Sequence, residues 1–253
     1  MDQNRMPLVE ALQQFREEAP AYFRIPGHRF ERGLDEALNG ASLAAYDLSE
    51  AEGLDDLHHA EGVIAEAQRL AAETWKAKKT FFLVNGTTCG NEAMVLSSVK
   101  EGEKIIVPRN VHKSVLMGLI LCGATPVYVM PEYSTKWQMW GGVTPETIEK
   151  AFAETPDAKA VLLVSPTYYG LCSDLQAIAE ICHCHNAALL VDEAHGSHLY
   201  FSEQLPLGAL ESGADACAQS IHKTAGSFTQ SSFLSLGSGP VSYTHLTLPT
   251  KRI

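Results

Sequence analysis

What this sequence lacks narrows its function before any motif is found. Neither Gly-Lys-Ser nor Gly-Lys-Thr occurs in its 253 residues, so there is no P-loop lysine to reach the phosphates of a nucleotide. G-x-G-x-x-G, H-E-x-x-H and G-x-S-x-G are also absent, which removes the usual signatures of dinucleotide binding, zinc proteolysis and the hydrolase nucleophile elbow. No apolar run is long enough to span a bilayer: the longest, Val115–Ala124, is interrupted by Gly118 and Gly123. The opening Met1-Asp2-Gln3-Asn4-Arg5 has no apolar core behind it, so no secretory leader is expected. Positive charge is scarce. With 19 Lys and Arg against 30 Asp and Glu the formal net charge is −11, which argues against a nucleic-acid or anionic-membrane partner. The six cysteines have no disulfide-framework spacing, and reduced thiols in a cytoplasmic protein are the expectation.

What is present suits a packed α/β protein. The chain is 45% hydrophobic and 19% charged, enough for a sizeable core in one large domain or two small ones. Leu8, Leu12 and Phe15 predict an amphipathic first helix, and Ile64, Ala67, Ala71 and Trp75 a second. Short apolar runs at Thr80–Val84, Lys104–Val107, Thr125–Met130, Ala160–Val164 and Ala188–Asp192 read as strands. Helical stretches near 113–122, 145–154 and 174–184 separate them, with Pro145 suited to a first turn and Ser173 or Asp174 to a cap. Strands apolar throughout, alternating with helices, predict a mostly parallel sheet covered on both faces. The Val241–Thr250 string departs from this pattern and resembles a translated sequencing adapter, so residues 241–253 are expected to be a non-native tail.

Two motifs invite readings that do not hold up. Leu190-Val191-Asp192-Glu193-Ala194-His195 resembles a helicase DEAH box, which is without meaning where no P-loop exists. Cys182-His183-Cys184-His185 has the composition of metal ligands, but neighbours on a helix point to different faces and no second ligand pair stands at finger spacing. A packed helix end is the expectation there, and no metal site is predicted.

Three other segments make more sense together than apart. Asn85-Gly86-Thr87-Thr88-Cys89-Gly90-Asn91, between a strand and a helix, offers N–H groups and hydroxyls to an anion, although polar turns are common at that position. Asp192 ends an apolar strand, where open parallel sheets bind ligands; alone it could equally be a cap or a surface acid. Lys223, in Gln219-Ser220-Ile221-His222-Lys223, is a candidate Schiff-base amine or a solvated surface lysine. An anion cup, a strand-end acid and a downstream lysine are the parts that pyridoxal phosphate requires.

Seven segments in order carry a family resemblance: Ile25–His28, Glu52–His58, Phe81–Thr88, Arg109–Ser114, Ser165–Gly170, Val191–Gly196 and Ser220–Lys223. On these the chain resembles the Orn/Lys/Arg decarboxylases, fold-type-I pyridoxal-phosphate enzymes. The resemblance implies an aspartate-aminotransferase-like α/β large domain with a mostly parallel sheet sandwiched by helices, incomplete at its C-terminus. The divisions it implies are an N-terminal segment at 1–60, the cofactor-binding large domain at 61–240 and the tail beyond.

The same resemblance implies roles. Lys223 would join the cofactor aldehyde, and Asp192 would pair with the ring nitrogen. His112 would stack on one ring face, with Ala194 against the other. Gly86, Thr87, Thr88, Ser220 and His222 would hold the phosphate, and Thr167 and His195 would lie near the phenolic oxygen. Lys223 or His222 would be the proton donor. The implied reaction is decarboxylation of arginine, lysine or ornithine to a polyamine-type amine and CO₂, in a cytoplasmic homodimer or dimer-based oligomer. Another fold-type-I activity, an aminotransferase or lyase, shares the cup, and a chain cut after its lysine is expected to be inactive as it stands. Departures from the family pattern are Arg29, Trp75-Lys76-Ala77 and Thr224–Phe228; none of them removes an implied cofactor contact.

Overall fold

A computed structural model of the protein describes residues 55–238. The helix expected around Leu8–Phe15, the Ile25–His28 motif and the 241–253 tail lie outside the described residues. After a single 3-10 turn at Leu57–His59, the first α-helix among the described residues is α1 (Val63–Thr74). The Asp55 carboxylate braces its start, accepting the N–H groups of Gly62 at 2.8 Å and Ile64 at 3.0 Å and so satisfying donors that a helix start leaves unpaired. Strand β1 (Lys79–Leu83) and helix α2 (Gly86–Ser98) follow, then β2 (Lys104–Pro108), α3 (Lys113–Cys122) and β3 (Thr125–Val129). A hairpin of β4 (Tyr133–Ser134) and β5 (Met139–Trp140) leads to α4 (Pro145–Glu154), β6 (Ala160–Val164), α5 (Leu175–Cys184) and β7 (Ala188–Asp192). Last come β8 (Ala216–Gln219), the one-turn α6 (Ile221–Thr224) and β9 (Ser232–Leu236).

Seven strands form one sheet in the order β1-β9-β8-β7-β6-β2-β3. All neighbours from β8 to β3 pair in parallel, and β9 runs antiparallel between β1 and β8. Alternate residues of β2, β6, β7 and β8 enter different cores, as the pleat requires. Leu189 and Val191 pack with Ile148, Phe152 and Ile178 from α4 and α5. Ala188 and Leu190 pack with Met94, Val95, Val115 and Leu119 from α2 and α3. The expected helix-covered parallel sheet is therefore present, and among the described residues no helix is long and apolar enough to cross a membrane.

The expected elements hold to within a residue or two, with Thr144 capping α4 ahead of Pro145 and Asp174 capping α5. Ser173 does different work: its hydroxyl accepts the Val143 N–H at 3.0 Å. Strands β8 and β9 and the β4–β5 hairpin have no counterpart among the strands read from the sequence. Strand β9 reads Ser-Phe-Leu-Ser-Leu; Ser235 Oγ lies 2.9 Å from Thr80 Oγ1, while the Ser232 hydroxyl is buried without a partner. The Cys182–His185 cluster disperses. Cys182 is in the core, His183 Nε2 lies 3.0 Å from Asp215 Oδ2, Cys184 is exposed and the His185 ring stacks on Phe152 at 4.3 Å.

Two close fits fix the carboxyl edge of the sheet. Gly90, on α2, lies so near the sheet that an added Cβ would stand 2.9 Å from both Ala218 Cβ and Leu83 Cδ1. Behind β7, the fully buried Glu193 carboxylate accepts the Ala209 N–H at 2.7 Å, the Tyr200 hydroxyl at 2.8 Å and the Gln219 amide at 2.8 Å. It thereby ties the ends of β7 and β8 to the 199–210 connection. Burial pushes the Glu193 carboxyl up to about 7, against the pull of those three donors.

Two outcomes are expected of the full-length protein. Gly90→Val should lower unfolding stability by about 1–3 kcal/mol, read by chemical denaturation, because helix and sheet must part to admit the side chain. A carboxyl whose pKa is raised on folding stabilises fully below its unfolded value near 4.5, and that contribution is lost as pH rises through about 7. Glu193→Gln should therefore gain on the wild type between pH 5 and pH 8, by up to about 3 kcal/mol. Thermal melts across that range would show it.

Candidate active site

A cleft of about 700 Å³ opens where the parallel strands end, the edge at which open α/β sheets place their ligands. Its floor is the end of β7. Asp192 is 3% exposed, a position in which a carboxylate needs donors. Oδ2 accepts the Asn91 side-chain amide at 2.8 Å and Oδ1 the Ala194 N–H at 3.2 Å. Burial raises the Asp192 carboxyl above its ordinary range, while these two donors and the charge of Lys223 oppose the rise.

One end of the cleft is built for an anion. Gly86 opens α2 at φ +65, a conformation that suits glycine. Asn85 makes no side-chain cap, so the first N–H groups of α2 carry the partial positive charge of a helix start toward the cleft. Thr87 and Ser220, both buried, meet with their hydroxyls 2.5 Å apart, and Thr88 lines the same wall. His222 lies 3.0 Å from the Ser231 carbonyl through Nδ1. A carbonyl only accepts, so Nδ1 carries the proton and Nε2 is left for other partners.

The other end carries an amine. Lys223, on α6, is half-buried, and burial lowers its pKa while the Asp192 charge raises it. Its Nζ lies 3.3 Å from His195 Nε2. Burial, followed by the neighbouring positive charges of Lys223 and His222, pushes His195 down to about 4, so at neutral pH that ring accepts and does not compete as a cation. His112 caps α3, its Nδ1 accepting the Ser114 N–H at 3.2 Å.

Ten of the eleven residues singled out in the sequence line this one cleft: Gly86, Thr87, Thr88, His112, Asp192, Ala194, His195, Ser220, His222 and Lys223. Thr167 is not among the lining residues. Its hydroxyl accepts the Leu171 N–H at 3.2 Å and its backbone closes the same turn, which leaves Tyr168 facing the cleft edge-on to His195 at 5.8 Å. Asn91, Asn110, Thr229 and Gln230 also line the cleft and were not anticipated. Asn91 had a signal: it stands one helical turn beyond Thr87, on the same face of α2.

The donor set fits pyridoxal phosphate. Hydroxyls and free N–H groups at one end match a phosphate, the buried carboxylate matches a protonated ring nitrogen, and the desolvated lysine matches an aldehyde. The volume suits a cofactor with substrate.

Comparison with known proteins gives the family and the fold. The family model described as Orn/Lys/Arg decarboxylase, major domain, matches residues 6–247, which extends past Pro240. An arginine decarboxylase of Halalkalibacterium halodurans is 46% identical over 243 residues, 95% of this chain and 50% of that protein. One from Bacillus subtilis is 42% identical over 245 residues, 96% of this chain and 50% of that protein. Among solved structures, lysine decarboxylase A from Pseudomonas aeruginosa superposes with a TM-score of 0.69 at 26% identity, over 95% of this chain and 36% of that one. A serine palmitoyltransferase of Sphingomonas wittichii, at 20% identity and TM-score 0.62 over 85% of this chain and 51% of that one, shares the fold alone. The chain spans about half the length of the curated relatives it matches. Its large domain has the fold-type-I architecture of the pyridoxal-phosphate enzymes, and the chain belongs to the Orn/Lys/Arg decarboxylase family.

Proposed function

We propose that the protein to which this chain belongs is a pyridoxal-phosphate-dependent decarboxylase of a basic amino acid, with arginine as its first substrate. The observation that carries the reading is the Asp192 carboxylate, buried at a strand end in the same cleft as a desolvated lysine and an uncapped helix start. Arginine leads because four relatives at 42–46% identity are named arginine decarboxylases. The assembly proposed is a cytoplasmic homodimer or an oligomer built from dimers.

In this reading Thr87, Thr88, Ser220 and His222, with the N–H groups at Gly86, hold the phosphate. Asp192 would accept the ring N–H, His112 and Ala194 would flank the ring, and Lys223 would hold the aldehyde. When bound, the cofactor supplies a protonated ring that accepts the electron pair left behind as CO₂ departs. The protein keeps that ring protonated through Asp192, since a carboxylate in a dry site holds a facing N–H strongly. Burial favours the neutral form of Lys223, the form that can attack a carbonyl. His195, neutral and in reach of Lys223 Nζ, is placed to exchange a proton with it. Phenolic-oxygen contacts fall to His195; Thr167, proposed with it from the sequence, would need its turn to open.

The full-length protein, loaded with pyridoxal phosphate, should release CO₂ and the corresponding amine from arginine faster than from lysine or ornithine. Lys223→Ala should reduce that turnover to background. Amino-group transfer to a keto acid without CO₂ release would contradict the reading and point to an aminotransferase. Mass-spectrometric product analysis separates the two.

A further inference from the structure

Asp192 and His112 stand on different elements, yet one unbroken hydrogen-bond chain joins them. Asn91, 1% exposed, gives one amide hydrogen to Asp192 Oδ2 at 2.8 Å and the other to Ser114 Oγ at 2.9 Å. Ser114, equally buried, lies with its hydroxyl 2.8 Å from His112 Nδ1. Elementary donor and acceptor rules fix every direction in the chain. An ionised carboxylate only accepts, so the group facing Asp192 must be the Asn91 NH₂; reversed, the amide would set oxygen against oxygen. That NH₂ also fills a lone pair of Ser114 Oγ and leaves the hydroxyl hydrogen for His112. His112 Nδ1 already receives the Ser114 backbone N–H at 3.2 Å, so it is an acceptor on both counts.

The arrangement carries a cost. Asn91 Oδ1 is buried without a partner, and an unsatisfied buried carbonyl is unfavourable. A leucine, which has the same branching, would avoid that cost but would take the donor away from both Asp192 and Ser114. The asparagine is therefore explained by what its NH₂ does, and general packing does not account for it.

We propose that Asn91 is a positioning residue: through Ser114 it couples the Asp192 carboxylate to the His112 ring, fixing His112 in the tautomer with its proton on Nε2. The two groups that would meet a cofactor ring at its nitrogen and at its face are then held as one unit. The functional meaning of this coupling rests on the reading of the cleft given above; the coupling itself does not.

The test uses the full-length protein with ¹⁵N-labelled histidine, with and without pyridoxal phosphate. Solid-state ¹⁵N NMR reads the tautomer at any assembly size, and the His112 signals are identified by their loss in His112→Gln. Wild type should show an unprotonated Nδ1 and a protonated Nε2 even without cofactor. Asn91→Leu and Ser114→Ala should each shift those signals and raise the cofactor dissociation constant, about tenfold for Asn91→Leu. Because the residues act in series, the double variant should be no worse than Asn91→Leu alone. A protonated Nδ1 in wild type, His112 signals unmoved in the folded variants, or additive losses of affinity would each overturn the proposal. If Asn91→Leu does not fold, Ser114→Ala decides through the His112 signals. A wild type that binds no pyridoxal phosphate would sink the functional reading, and the cofactor-free tautomer would still decide the coupling.

Discussion

A carboxylate placed at the dry end of a central strand must be met by donors, and much of this structure can be understood as meeting that demand at Asp192. Desolvation alone pushes the group toward its neutral form, in which it could not hold a protonated ring nitrogen. The opposing donors come from two directions. One is the backbone N–H of Ala194, supplied by the turn immediately after β7. The other is the Asn91 amide, delivered by a helix that follows β1, three places away in the sheet. The second donor arrives only if α2 packs tightly across β8 and β1, which is why the small surfaces of Gly90 and Ala218 face one another there.

The same packing sets the rest of the cleft. Residues of α2 serve both ends of it: Thr87 at the helix start reaches Ser220, and Asn91 one turn later reaches Asp192. The antiparallel β9 closes the sheet between β1 and β8 and returns the chain past the lysine turn, where Ser231 anchors His222. On the far side of β7 a second buried acid, Glu193, gathers Tyr200, Gln219 and the Ala209 N–H. Adjacent residues of one strand end thus face opposite ways, one toward the cleft and one toward the scaffold. That alternation is a plain consequence of β geometry.

How much of this was legible in the sequence follows the same physics. Strands β6 and β7, apolar at every position up to their ends, announce themselves because both faces are buried. Strand β9 is masked by its serines, and of these Ser235 finds its Thr80 partner only once β1 lies beside it. Asp192 and Lys223 could be picked out as chemistry standing at the ends of apolar runs. Glu193 could not, because nothing in Asp-Glu-Ala-His tells which acid turns inward to the scaffold until Tyr200 and Gln219 arrive from elsewhere. Thr167 and Tyr168 show the limit at its finest: neighbours in one loop exchange places at the cleft according to a turn that Thr167 closes with Leu171. Asn91 lay within a segment already read as an anion cup, but its partner Ser114 comes from a different helix, and no local pattern links the two.

The central claim is that the carboxyl edge of this sheet, with Asp192 beneath and Lys223 above, is a pyridoxal-phosphate site. Borohydride reduction of the cofactor-loaded full-length protein, followed by peptide mapping, tests it most directly by fixing the cofactor to whichever amine holds it. The account predicts one modified lysine, Lys223, on the peptide that carries Ser220 and His222. Stable modification at a different lysine, or none after saturation with cofactor, would contradict it.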